Sequence, residues 1–110
     1  LILANGAYGK RMAQIADYYH INYVLVSLHE TELVTGEVAR RALEEHPGIT
    51  HLSMVHSETT TGLLNPIEEV AEVIKGRGIT FIVDAMSSFG GVPIDVKGLG
   101  IDFLVSSPNK

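Results

Sequence analysis

The sequence predicts an α/β fold, a parallel-rich sheet flanked by helices, and three observations carry that prediction. Short apolar runs of strand length alternate with segments of helical periodicity, the pattern of successive β-α-β units. Two of the runs, residues 79–83 and 101–105, are nearly continuous in apolar residues, as parallel strands buried on both faces are. Polar or glycine-containing segments follow the runs, where open α/β sheets place their functional residues.

Taken in order, residues 1–4 read as the first strand and Asn5-Gly6-Ala7 as its turn. Met12, Ile15, Ala16 and Tyr19 recur at helical spacing and predict a helix over 8–19. Residues 23–26 form a second strand. A helix over 35–46 puts Val38, Ala42 and Leu43 on one face. Its other face carries Glu37–Arg41, Arg40–Glu44 and Arg41–Glu45 at i,i+4, each worth about a few tenths of a kcal/mol, and is a solvated face. Pro47-Gly48 ends that helix, and residues 51–55 are the third strand. In the next helix Asn65 is the expected cap and Pro66 the first helical residue. Glu68 and Glu69 there favour the positive end of the dipole. Val70, Val73 and Ile74 face inward, and Gly76 closes it. No internal repeat, low-complexity stretch or linker interrupts the series.

Composition narrows the function. With 110 residues the chain holds at most one domain, and 45% hydrophobic with 19% charged residues is the make-up of a packed protein. A net charge of −5 without a basic stripe argues against nucleic acid as a partner. The absence of cysteine removes disulfides, thiolate metal sites and cysteine nucleophiles. No apolar run approaches the ~18 residues of a membrane span and no signal peptide is visible, so a cytoplasmic location is expected. The chain opens inside a strand-like run and stops at Lys110, and so reads as an internal piece of a longer protein.

Four segments are candidates for chemistry, each with a plain structural alternative. Gly6-Ala7-Tyr8-Gly9-Lys10-Arg11 has the outline of a phosphate loop, but such a loop needs Gly where Ala4 stands and Ser or Thr where Arg11 stands. It is either a tight strand-to-helix turn or a turn that presents Tyr8 as an aromatic platform. His56-Ser57-Glu58-Thr59-Thr60-Thr61-Gly62 offers hydroxyls at a strand exit, for a binding pocket or for bonds to nearby backbone. A His56/Glu58 metal pair lacks an evident third ligand, and no metal is expected. Asp84 ends a buried apolar run and needs a partner, because an unpaired buried charge is costly. That partner is either a structural one, in a helix cap or an ion pair, or the protonated ring nitrogen of a cofactor. Lys110 follows the run 101–105 and the hydroxyl-rich Ser106-Ser107-Pro108-Asn109. A lysine partly desolvated there becomes a nucleophile toward carbonyls, whereas a lone lysine elsewhere is usually a surface charge.

The order and spacing of these segments carry more than each does alone. Asp84 after a strand, then Lys110 after a strand and Ser-Ser, resembles the class-V aminotransferases of fold type I, which depend on pyridoxal 5′-phosphate (PLP). NGAYGKR, HSETTTGLLNP, VDAMSSFGG and SSPNK together are most similar to the branch acting on 2-aminoethylphosphonate and pyruvate. The resemblance runs over essentially all 110 residues and implies the central part of the large PLP-binding domain. An N-terminal segment and a small C-terminal domain would then lie outside this chain.

The resemblance also implies roles. Lys110 would form the Schiff base and carry a proton to and from the substrate carbon, and Asp84 would keep the pyridine nitrogen protonated. Met86 would pack on one face of the ring and Tyr8 stack toward the other. Thr59 would bond near the ring, and Ser107 and Asn109 would help hold the phosphate. Pro108 departs from the small residue expected between Ser107 and Asn109, and it has no N–H to donate. Arg11, Arg40, Arg41 and Arg77 read as surface residues, so the arginines that recognise substrate are expected outside the chain. The implied protein is a homodimer with small-molecule substrates, moving an amino group from 2-aminoethylphosphonate to pyruvate to give phosphonoacetaldehyde and alanine. The segment alone is expected to be inactive. The alternatives are an alanine–glyoxylate or serine–pyruvate type of aminotransferase, and a non-catalytic α/β binding domain.

Overall fold

A computed structural model of the chain describes residues 1–108. Five parallel strands alternate with three helices: β1 (Ile2–Ala4), α1 (Ala7–Tyr18), β2 (Leu25–Ser27), α2 (Gly36–Glu45), β3 (His51–Val55), α3 (Ile67–Ile74), β4 (Thr80–Asp84) and β5 (Phe103–Val105). They form one sheet in the order β2-β1-β3-β4-β5, parallel throughout. The register Ile2↔Ser53, Ser53↔Ile82 and Ile82↔Phe103 sets these four residues in one row. The chain turns back between β1 and β3, and the crevice at such a switch point is where doubly wound sheets bind ligands. Among the described residues no helix is long and apolar enough to cross a membrane.

Alternation along the strands divides the sheet into two unlike faces. Leu1, Leu3, Leu52, Met54, Phe81 and Val83 pack with Val34, Ala39, Leu43, Val70 and Ile74 into the main core, under α2 and α3. Leu3, Leu52, Met54, Phe81 and Val83 are all but fully buried. On the other face a smaller cluster joins Ile2 to Ala13 and Ala16 of α1, with Met12 and Tyr23 against it. No helix of the described residues follows α1 across that face. A groove of about 1000 Å³ runs over it, touching Ile2, Ser53, Ile82 and Val105, with Asp84 as its one acidic residue.

Most predicted elements are present with shifted ends. The second strand is Leu25–Ser27 instead of 23–26, because only an edge strand's contact with β1 defines it. The last strand keeps only Phe103–Val105 of the predicted 101–105. On α2, Thr35 caps the helix by accepting from the Val38 N–H at 3.4 Å, and Arg41 pairs with Glu37. The larger correction concerns Asn65. It does not cap α3, whose N-cap is Pro66 with no side-chain bond and whose first residue is Ile67. Its amide is drawn elsewhere: Asn65 Oδ1 accepts from the Val34 N–H at 3.0 Å and from Asn5 Nδ2 at 2.8 Å, and Asn65 Nδ2 donates to the Val55 carbonyl at 2.9 Å. A buried amide satisfied on both sides outweighs one exposed capping bond.

Candidate active site

The carboxyl ends of β1, β3, β4 and β5 lie side by side, because all strands run the same way, and the candidate segments follow those ends. Asp84, the last residue of β4, is half-buried. Its carbonyl accepts from the His56 N–H at 2.9 Å, and its Oδ1 accepts from the Met86 N–H at 2.9 Å. This bond turns the chain sharply after the strand, the Asx geometry that aspartate favours. Asp84 Oδ2 makes no hydrogen bond among the described residues, and the side chain borders the open groove.

The β3 and β4 exits are joined twice. Thr59 Oγ1 and Ser87 Oγ share a hydrogen bond. His56 Nδ1 and Ser88 Oγ share another of 2.9 Å, with both residues 2% exposed. Burial holds the His56 imidazole below the usual histidine value, with Glu68 opposing weakly, so the neutral ring is favoured. The Ser88 N–H and the Phe89 N–H return to the Ala85 carbonyl at 3.1 and 2.9 Å, closing the Asp84 loop into a compact turn.

The β1 and β3 exits meet through Glu58, which is fully buried. Its Oε1 accepts from the Tyr8 N–H at 3.1 Å and its Oε2 from the Gly9 N–H at 3.4 Å, at the N-terminus of α1. Tyr8 itself is 39% exposed, in the first turn of that helix.

The expected site residues are thus placed as follows. Tyr8, Thr59, Asp84, Met86 and Ser107 all lie at the carboxyl edge of the sheet, Met86 and Ser107 half-buried. Thr59 is tied to the Asp84 loop through Ser87, and Tyr8 to the β3 exit through Glu58. Asn109 and Lys110 lie outside the described residues. His56 and Glu58 do not converge on a shared ion: each is turned to its own partner, and no metal-binding group of three occurs among the described residues. Sequence reasoning missed Glu58 as a partner of α1. The signal was there, in a first turn without an acidic residue and a Gly at the capping position.

The class-V aminotransferase family matches residues 6–110. Over all 110 residues the chain is 56% identical to the 2-aminoethylphosphonate–pyruvate transaminase of Bacteroides fragilis (strain YCH46), of which it covers 30%. It is 54% identical to the bifunctional phosphonoacetaldehyde hydrolase/aminoethylphosphonate transaminase of Clostridioides difficile (strain 630), covering 17% of that protein. Of solved structures, the alanine–glyoxylate aminotransferase from Nostoc sp. superposes with a TM-score of 0.87 at 35% identity, over 96% of this chain and 28% of that one. The ureidoglycine–glyoxylate aminotransferase from Bacillus subtilis gives 0.90 at 27% identity, over 99% of this chain and 28% of that one. The chain therefore spans less than a third of the relatives it matches. With a parallel sheet, an aspartate ending β4 and a family match over 105 of 110 residues, the chain belongs to the class-V aminotransferases.

Proposed function

We propose that this chain is the central part of the large PLP-binding domain of a homodimeric aminotransferase. The proposed reaction moves the amino group of 2-aminoethylphosphonate to pyruvate, giving phosphonoacetaldehyde and alanine. The observation that carries the choice of reaction is the 56% identity, over the whole chain, to relatives named for it; the 35% identity to an alanine–glyoxylate enzyme is weaker.

The donor set fits the cofactor. A carboxylate with one oxygen held and the other open suits a protonated ring nitrogen, and the hydroxyls around it donate without adding charge. Asp84 Oδ2 would accept a hydrogen bond from the protonated ring nitrogen, while the Met86 N–H keeps Oδ1 from turning away. Met86 and Tyr8 would flank the ring. Thr59, held by Ser87, would bond beside it, and Ser107 and Asn109 would face the phosphate. Lys110 would be the attachment residue and the base that holds and moves the substrate proton. When bound, PLP supplies the electron sink for the bond broken at the substrate carbon.

The test uses the full-length protein loaded with PLP and no keto acid. Addition of 2-aminoethylphosphonate should abolish the visible band of the lysine-bound cofactor and release about one equivalent of phosphonoacetaldehyde, as expected for half of a transamination. A band that persists with this donor but is lost with alanine or serine would shift the protein to the alanine–glyoxylate type. No band at all would end the catalytic reading.

A further inference from the structure

Buried carboxylates are costly unless fully bonded, and Glu58 is fully buried at the seam between the β1 and β3 exits. Its partners are all on the amino end of α1 or in its own loop: the Tyr8 and Gly9 N–H groups and the Thr60 hydroxyl, at 3.1, 3.4 and 3.4 Å. Helix α1 has no acidic residue in its first turn, and its capping residue, Gly6, has no side chain to offer. The cap thus comes from fifty residues further along the chain, where a carboxylate meets the positive end of the helix.

Gly6 is matched to this arrangement by space and not by backbone conformation, since its φ of −172° is open to any residue. A Cβ there would fall 2.7 Å from Glu58 Oε2 and closer still to the side-chain carbons. The loop holding Glu58 is fixed independently. The Glu58 N–H donates to the Leu63 carbonyl at 3.0 Å, and its carbonyl accepts from the Gly62 N–H at 2.7 Å. If satisfying α1 were all that mattered, a Ser or Asp at position 6 would do so locally. The chain instead reaches across the switch point. In doing so it ties Tyr8, through its own N–H, to the residue that precedes Thr59.

We infer that Glu58 is a positioning residue for the cofactor, setting the distance between the Tyr8 and Thr59 walls through the α1 amides, with Gly6 as the space that admits it. The inference rests on the PLP reading above. It predicts that a carboxamide fails where a carboxylate succeeds. Glutamine has one acceptor oxygen, and its amino group would face the second N–H donor.

The experiment compares full-length wild type with Glu58→Gln, Gly6→Ala and the double variant. In cofactor-free protein, hydrogen exchange at Tyr8 and Gly9 should quicken about tenfold or more in either single variant, while amides of β3 keep their protection. In loaded protein, the circular dichroism of the visible band should change and PLP should bind about tenfold more weakly, the scale of one charge-assisted bond. The double variant should be no worse than the poorer single one, because both break the same contact. Unchanged dichroism and affinity beside a lowered melting temperature would overturn the inference and leave Glu58 a purely structural cap. If Glu58→Gln does not fold, Gly6→Ala, which keeps the carboxylate but displaces it, gives the same readings. A wild type without a visible band would overturn the proposed function instead, so the two failures are separable.

Discussion

The two faces of the sheet are built to different standards. Under α2 and α3, Leu3, Leu52, Phe81 and Val83 are sealed, and the packing is complete within this chain. On the α1 face, the edge strand β5 exposes Phe103 at 61% and Val105 at 47%, beside a groove bordered by Asp84. The closed face carries the stability. The open face carries the candidate chemistry, since a ligand needs reachable groups and a rigid sheet behind them.

The contrast can be broken with one pair of substitutions. Phe81→Ala should cost this chain about 3–5 kcal/mol, enough to abolish a cooperative urea transition, whereas Phe103→Ala should cost less than about 1 kcal/mol. Equal losses would mean that the open face is packed in solution. Next in size is Asn65→Leu, which removes the bonds to the buried Val34 N–H and Asn5 Oδ1. It should cost about 2–4 kcal/mol in the same urea titration, despite adding apolar volume.

His56 sharpens the comparison at the seam between site and core. Its value in the folded chain lies below the ordinary 6.5, so the unfolded chain binds the proton first as pH falls. Stability should therefore be intact above 6.5 and decline as pH drops through 6.5, levelling off below the lowered folded value. Melting temperatures from pH 8 to 5 should show this decline in wild type and a flatter profile in His56→Gln. The smallest effect is expected at Arg40, whose exposed pairs with Glu37 and Glu44 are screened by solvent. Arg40→Ala should leave the melting curve within experimental scatter of wild type.

How far the sequence could be read follows the same division. Residues 79–83 were legible because buried parallel strands have an apolar signature, and Asp84 stood out by following them. The strand order was not legible: pairing β1 with both β2 and β3 depends on crossovers that leave no local pattern. Asn65 looked like a cap because Asn-Pro followed by two glutamates has a cap's local chemistry. Its real partners, Asn5 and Val34, lie 60 and 31 residues away. Glu58 is likewise a side chain whose partners lie on another element, and only the acid-free first turn of α1 behind Gly6 points to it.

The central claim is that Asp84 is the group that keeps a cofactor's ring nitrogen protonated. The most direct measurement is nitrogen-15 NMR of ring-labelled PLP bound to the full-length protein, in wild type and in Asp84→Ala. The account predicts a protonated ring nitrogen in wild type and an unprotonated one in the variant. A protonated nitrogen in both would contradict it.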